Sequence, residues 1–193
     1  MKRSWRVLCL AAVLGGCAGG GGTPGGAALE ALGLRKAPPP VAESQQPPRT
    51  VALHLHAAPR LNVDARGQPL ALLVRVYKLR QRNTFEGAPY AVFLSPQAER
   101  ELLGADLVEV RELTLVPGQH LDLSEKVGRD TPWLGVVALF HAPAAQGWRA
   151  SFAAADAEQA GVTVGLHACA LSVGTGAAPA GAAVKPLSLV RCQ

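Results

Sequence analysis

Two histidines separated by one residue are the first candidates for chemistry in this chain. His54 and His56 lie in an alternation of apolar and polar residues, which predicts a β-strand with both imidazoles on one face. Zinc sites use such pairs, but a catalytic centre also needs a third ligand and supporting hydrogen bonds. The remaining histidines are His120, His141 and His167, and no spacing singles one of them out. We therefore predict no metal site and expect His54 and His56 on the solvated face of an edge strand.

A second group of residues has the start of a calcium-binding pattern. Asn62, Asp64 and Gly67 match its opening, but the loop also requires an oxygen ligand at its fifth position and a bidentate acid at its twelfth. This chain has Arg66 and Leu73 there. The three residues predict a turn instead, because Asn and Asp side chains bond nearby backbone amides and glycine accepts positive φ.

Nucleophilic chemistry has one candidate, Cys169, which follows His167 by two residues. A reactive cysteine needs an accessible thiol with a lowered pKa, whereas this segment is strongly apolar and favours a buried thiol. The sequence contains no Gly-x-Ser-x-Gly elbow, Walker loop or His-Glu-x-x-His motif. We predict that the protein is not an enzyme and uses no cofactor.

The elements that carry these residues are mostly short apolar runs separated by turn residues, which is typical of an all-β domain. The runs are Val51–His56, Leu70–Leu79, Leu107–Val116, His120–Leu123, Trp133–His141, Trp148–Ala153 and Val162–Val173. The nearly continuous apolar run at Trp133–His141 predicts a central strand buried on both faces. One helix is predicted, with Ser95 as N-cap, Pro96 at its first position and Gly104 at its end. This pattern predicts a two-sheet β-sandwich with a short helical insertion.

The N-terminus has the features of a secretory signal. Three basic residues within the first six precede an apolar run at 7–14, which would be about 12 Å long as a helix and too short for a bilayer core of roughly 30 Å. Leu14-Gly15-Gly16-Cys17 then resembles the lipobox of bacterial lipoproteins. That resemblance implies cleavage after residue 16 and acylation of Cys17, with palmitate among the acyl chains. Ala18, in place of an aspartate, implies sorting to the outer membrane, with the domain facing the periplasm.

Composition divides the chain into four parts: a signal peptide at 1–16, the acylated cysteine and a Gly/Pro-rich tether at 17–49, a β-sandwich domain at 50–173, and a loose C-terminal segment at 174–193. A flexible tether of this length spans about 30 Å. The full chain has 19 basic and 14 acidic residues, and three of the basic ones lie in the signal. The mature charge is therefore near +2, which argues against nucleic acid as a partner.

Two of the four cysteines remain for the folded domain once Cys9 leaves with the signal and Cys17 is acylated. An oxidising periplasm permits Cys169 and Cys192 to form a disulfide. The alternative is a buried Cys169 and a free Cys192 near the C-terminus.

Several motifs follow Cys17 and its linker in a fixed order. They are Leu61-Asn62-Val63-Asp64 with Gly67 and Pro69, Val74-Arg75-Val76-Tyr77-x-Leu79, Phe85, Ala88–Leu94, Pro117-Gly118, and Leu134–Phe140 with Trp148-Arg149. Together they resemble the TssJ (SciN/VasD) lipoproteins of bacterial type VI secretion systems. The resemblance covers roughly residues 50–173 and implies a transthyretin-like sandwich. It also implies a non-catalytic role in the TssJ–TssL–TssM membrane complex, where the lipoprotein binds the periplasmic domain of TssM.

In that family the loop between the first two strands contacts TssM, which corresponds here to Ala58–Pro69. The implied partner-binding residues are Arg60, Leu61, Asn62, Val63, Asp64 and Arg66. Leu61 and Val63 would be apolar anchors with charged residues around them, as protein-binding patches require. Alternatively, Leu61 folds back into the core.

Two other functions stay open for a periplasmic lipoprotein with this sequence. One is a ligand-binding or assembly module of another class, which would use a different loop. The other is a metal-dependent hydrolase that would use His54 and His56.

Overall fold

The computed structural model of the protein describes residue 42, residues 45–181 and residues 190–192. The predicted signal peptide, Cys17 and most of the predicted tether lie outside the described residues. Eight strands occur in the described part: β1 (Arg49–Ala57), β2 (Leu72–Leu79), β3 (Leu107–Leu115), β4 (His120–Val127), β5 (Trp133–Leu139), β6 (Arg149–Ala153), β7 (Val162–Leu166) and β8 (Leu171–Gly176). The helices are α1 (Asn83–Gly87), α2 (Pro96–Leu103) and α3 (Ala154–Ala160), with 3₁₀ turns at Tyr90–Leu94 and Gly104–Asp106. No helix in this part of the chain has the length and hydrophobicity to cross a bilayer.

The strands form two four-stranded sheets, in the orders β4-β1-β7-β8 and β3-β2-β5-β6. The pair β1–β7 is parallel, and the other neighbours are antiparallel. The predicted all-β sandwich with a short helical insertion is confirmed. Strand β5 lies between β2 and β6, as its continuous apolar run predicts. Strand β1 also has neighbours on both sides, so the expectation that His54 and His56 lie on an edge strand is wrong.

The core lies between the sheets and follows the alternation of the strands. In β1, Val51, Leu53 and Leu55 are buried, while the residues between them face outward. Residues 134–138 of β5 are buried on both faces because helices cover the outer side of that sheet. Fully burying one such side chain stabilises the fold by about 1.5–3 kcal/mol.

An aromatic cluster attaches the helical layer to the outer face of the second sheet. The rings of Tyr77 on β2, Phe85 on α1 and Phe93 on the 3₁₀ turn are all fully buried, with centroids 5.2 to 5.9 Å apart. Gly135 on β5 makes room for this packing, since a Cβ there would lie 2.7 Å from the Phe85 ring. The region from Phe85 to Leu94 is therefore an integral layer of the domain.

Buried charge fixes the same layer. The Arg75 guanidinium on β2 forms an ion pair with the Glu99 carboxylate on α2 at 2.5 Å and donates to the Phe93 carbonyl at 2.9 Å. Glu112 on β3 contacts the same guanidinium at 2.7 Å from a half-exposed position. Arg149 on β6 donates to the carbonyl oxygens of Phe85, Glu86 and Ala88 at the end of α1. Arg75 and Arg149 thus join the second sheet to its helices.

The structure differs from the sequence expectations near the C-terminus. The segment predicted as one strand over Val162–Val173 is a hairpin, β7 and β8, with its turn at residues 167–170. This turn has no Gly, Pro, Asn or Asp, and the His167 amide closes it by donating to the Ala170 carbonyl at 3.0 Å. Strand β8 continues to Gly176, and Ala180 pairs with Ser151. Residues 174–181 therefore belong to the sandwich and not to a loose segment.

Candidate functional site

The β1–β2 loop lies at one end of the sandwich, and Asn62 in this loop connects the segments that meet there. Its φ is +47°, the one positive value outside glycine within the described ranges, and asparagine adopts this conformation more readily than most residues. The side chain Oδ1 accepts from the His141 amide at 2.6 Å, and Nδ2 donates to the Ala71 carbonyl at 2.7 Å. The Asn62 amide itself donates to the His167 carbonyl at 3.0 Å. One buried residue therefore joins the β1–β2 loop, the β5–β6 connection and the β7–β8 turn.

Asp64 fixes the outer part of the same loop. Its Oδ1 accepts from the amides of Arg66 and Gln68, both at 2.8 Å, which is the side-chain-to-backbone bonding expected of an aspartate turn. Gly67 has a φ of +75° and donates its amide to the Asp64 carbonyl at 2.9 Å. The turn predicted from these residue types is present, and its conformation is held by hydrogen bonds.

The loop residues expected to bind a partner separate into inward and outward groups. Leu61 is fully buried in the main core, so the expectation that it supplies an exposed anchor is wrong and the alternative of a folded-back side chain holds. The Leu70 amide donates to the Leu61 carbonyl at 3.0 Å, which turns this part of the loop inward. Asn62 is also buried. Val63 and Asp64 are half-buried, whereas Arg60 and Arg66 are exposed.

A disulfide lies directly beside the loop. Cys169 in the β7–β8 turn is bonded to Cys192, with their Cα atoms 5.6 Å apart. The carbonyl before it, that of Ala168, accepts from the Val63 amide at 3.1 Å, and the Cys169 carbonyl accepts from the Ala144 amide at 2.9 Å. The turn that holds the disulfide is thus the same turn that holds the loop.

Two hollows flank this disulfide. One, of about 130 Å³, is lined by Val63, Asp64, Ala65, His141, Ala142, Cys169 and Cys192. The other, of about 220 Å³, is lined by His167, Ala168, Cys169, Ala170, Val190 and Cys192. Sequence reasoning placed the loop but missed the residues that complete its surroundings, because His141 and Ala142 have no local pattern that distinguishes them.

His54 and His56 on β1 contact different residues of the neighbouring strand β4. His54 Nδ1 lies 2.6 Å from Asp122 Oδ1 on β4, and this hydrogen bond lowers the pKa of the Asp122 carboxyl. The His56 ring stacks on His120 with centroids 4.6 Å apart. Within the ranges that the structure describes, no group of three or more His, Cys, Asp or Glu side chains is placed to hold a metal ion.

Tyr90 shows how the β5–β6 connection is attached to the helical layer. Its hydroxyl donates to the Phe140 carbonyl at 2.6 Å, next to the His141 amide that Asn62 binds. Burial raises the pKa of Tyr90 to about 12, so the phenol stays protonated and keeps donating.

The structure therefore defines a two-sheet β-sandwich in which hydrogen bonds fix the loop at one end. The T6SS-SciN family model, described as type VI secretion lipoprotein (VasD, EvfM, TssJ), matches residues 49–169. The chain belongs to this family. No curated protein matches it in sequence.

Solved structures agree with this assignment. The chain is 31% identical to the T6SS lipoprotein TssJ1 from Pseudomonas aeruginosa, with a TM-score of 0.61 over 69% of this chain and 100% of that one. Serratia marcescens Lip, a membrane-bound component of the type VI secretion system, is 20% identical, with a TM-score of 0.58 over 66% and 98%. A chain of the structure described as T6SS protein TssM C-terminal domain (869–1107) from EAEC is 23% identical, with a TM-score of 0.55 over 65% and 97%. At these lower identities the likeness concerns the fold.

Proposed function

We propose that this protein is an outer-membrane lipoprotein that docks the periplasmic domain of the inner-membrane protein TssM through its β1–β2 loop. Acylated Cys17 would hold the chain at the membrane, and the tether would give the sandwich its reach. Membership of the type VI secretion lipoprotein family supports this role, as does the fold likeness to a chain in a structure that contains a TssM C-terminal domain.

The observation that carries the proposal is the fixed conformation of the loop. Asn62 and Asp64 hold it through seven hydrogen bonds between 2.6 and 3.0 Å, which leaves Arg60 and Arg66 exposed on a rigid support. A preorganised loop loses little conformational entropy on binding, and arginine is among the residues that contribute most to interfaces. The loop therefore presents a positively charged surface for an acidic patch on the partner.

The docking proposal is tested with the full-length chain in detergent and the periplasmic domain of the TssM encoded in the same genome. We expect the Arg60→Glu/Arg66→Glu variant to bind about tenfold or more weakly. Arg100→Glu, at an exposed position on α2, is the matched control for a change of charge and should bind normally. A folded wild-type chain that does not bind TssM overturns the proposal.

The anchor is tested separately by Cys17→Ser. We expect the variant to leave the membrane fraction because the acylation site is gone, while its binding to TssM in solution is unchanged. A variant that stays in the outer-membrane fraction contradicts acylation of Cys17 as the anchor.

A further inference from the structure

The smaller hollow beside the β1–β2 loop has the size and lining of a side-chain pocket. Its volume is about 130 Å³, and a dry protein cavity of about 150 Å³ accommodates benzene. Its apolar lining is Val63, Ala65, Ala142 and the Cys169–Cys192 disulfide, and the polar residues Asp64 and His141 complete it. A branched aliphatic or small aromatic side chain fits this space. We call it the loop groove.

The β1–β2 loop carries one acidic and two basic side chains, and these differ in their contacts. The Asp64 carboxylate bonds two backbone amides of its own turn, and this role is structural. Arg60 and Arg66 are exposed on the same loop, and neither guanidinium forms an ion pair with any of the residues that the structure describes. The loop therefore carries two exposed cations, and one of them, Arg66, directly follows the groove residue Ala65 in the sequence.

We propose that the loop groove receives one apolar side chain of the partner, and that an acidic residue beside it in the partner's sequence pairs with Arg60 or Arg66. An apolar anchor in a pocket with charges at its rim is the arrangement that concentrates binding energy in protein interfaces. The inference rests on the proposed docking function and specifies what the loop end recognises. It extends the interface to residue 142 and to the disulfide, which lie outside the loop itself.

The test fills the groove without changing charge. Ala142→Phe places a ring in the hollow from the β5–β6 connection, and Ala65→Tyr does so from an exposed position in the loop turn. Ala145→Phe adds the same bulk at an exposed neighbouring position that does not line the groove. Each full-length variant is titrated with the TssM periplasmic domain, and circular dichroism confirms its fold. We expect both groove variants to bind about tenfold or more weakly and Ala145→Phe to bind as wild type.

The outcomes separate this inference from the docking proposal. If wild type binds, Arg60→Glu/Arg66→Glu binds weakly and both filled variants bind normally, then the loop docks the partner and the groove inference is overturned. If wild type does not bind TssM, the docking proposal is overturned, and the groove inference, which rests on it, is overturned as well. If Ala142→Phe does not fold, the Ala65→Tyr variant alone tests the inference, since position 65 is exposed and tolerates a larger side chain. Loss of self-association with unchanged TssM binding would show that the groove binds a second copy, which also overturns the inference.

Discussion

The side chain of Asn62 accepts a hydrogen bond from the backbone amide of His141 at 2.6 Å, across 79 residues of sequence. Asn62 lies within the β1–β2 loop, and His141 follows the end of β5. The same asparagine is in the left-handed region and is nearly fully buried. The conformation of the loop therefore depends on a residue that no partner can reach.

Replacing Asn62 tests this dependence. We expect Asn62→Ala to lower the free energy of unfolding by about 2–3 kcal/mol, since it removes two part-buried side-chain hydrogen bonds, to the His141 amide and the Ala71 carbonyl, and keeps a Cβ residue at positive φ. Asn62→Gly loses the same hydrogen bonds without the backbone strain and should be more stable than the alanine variant by about 1 kcal/mol. Urea unfolding measures both. Equal stabilities for the two variants would show that the positive φ is not maintained.

Most of the strands and α2 could be predicted because their signals are local. Alternation identified β1, a continuous apolar run identified β5, and Ser95-Pro96 with Gly104 bounded α2. Helix α3 was missed, although its residues Ala154–Ala160 have high helix propensity and Gly161 ends it at a φ of +68°. A seven-residue stretch between two strands has too few turns for a periodic signal.

The candidate site was only partly predictable for a different reason. Residue types located the loop at Ala58–Pro69, but Leu61 has the same sequence signature whether it points into the core or toward a partner. Leu61 is buried within a core cluster whose other members come from both sheets and mostly lie far away in the sequence. The loop groove is likewise formed by three connections that meet only in the folded chain.

Two acids that share Arg75 should differ greatly in their effect on stability. The Glu99 side chain is 3% exposed and the Glu112 side chain is 53% exposed. We expect Glu99→Ala to cost about 3–5 kcal/mol because it leaves a buried guanidinium without its main counter-charge. Glu112→Ala should cost less than about 1 kcal/mol, as is usual for exposed ion pairs. Chemical denaturation measures both costs, and similar values would contradict the asymmetry.

The disulfide should stabilise both the fold and the loop beside it. A bond between cysteines 23 residues apart contributes about 3 kcal/mol in the chain-entropy model. We expect Cys169→Ser/Cys192→Ser to lose about this much free energy of unfolding. Hydrogen exchange at the Val63 amide, which donates to the Ala168 carbonyl next to Cys169, should become faster. The Ala154 amide, bonded to the Pro132 carbonyl, is the internal control. Unchanged exchange at Val63 would show that the loop does not depend on the disulfide.

The last prediction concerns pH and the histidine in the β7–β8 turn. Burial lowers the pKa of His167 below its ordinary value of 6.5, and Nε2 lies 2.9 Å from Ser172 Oγ. Its ring lies over Gly165, where a Cβ would come within 3.0 Å of Nε2.

Between the folded and unfolded pKa values of His167, the unfolded chain binds more protons than the folded chain, so stability rises with pH. The contribution of His167 is therefore complete above about pH 6.5 and is lost as the pH falls through the lowered folded value. We expect His167→Gln to flatten the fall in unfolding free energy below about pH 6.5. Equal slopes for wild type and His167→Gln would show that this histidine does not couple folding to pH.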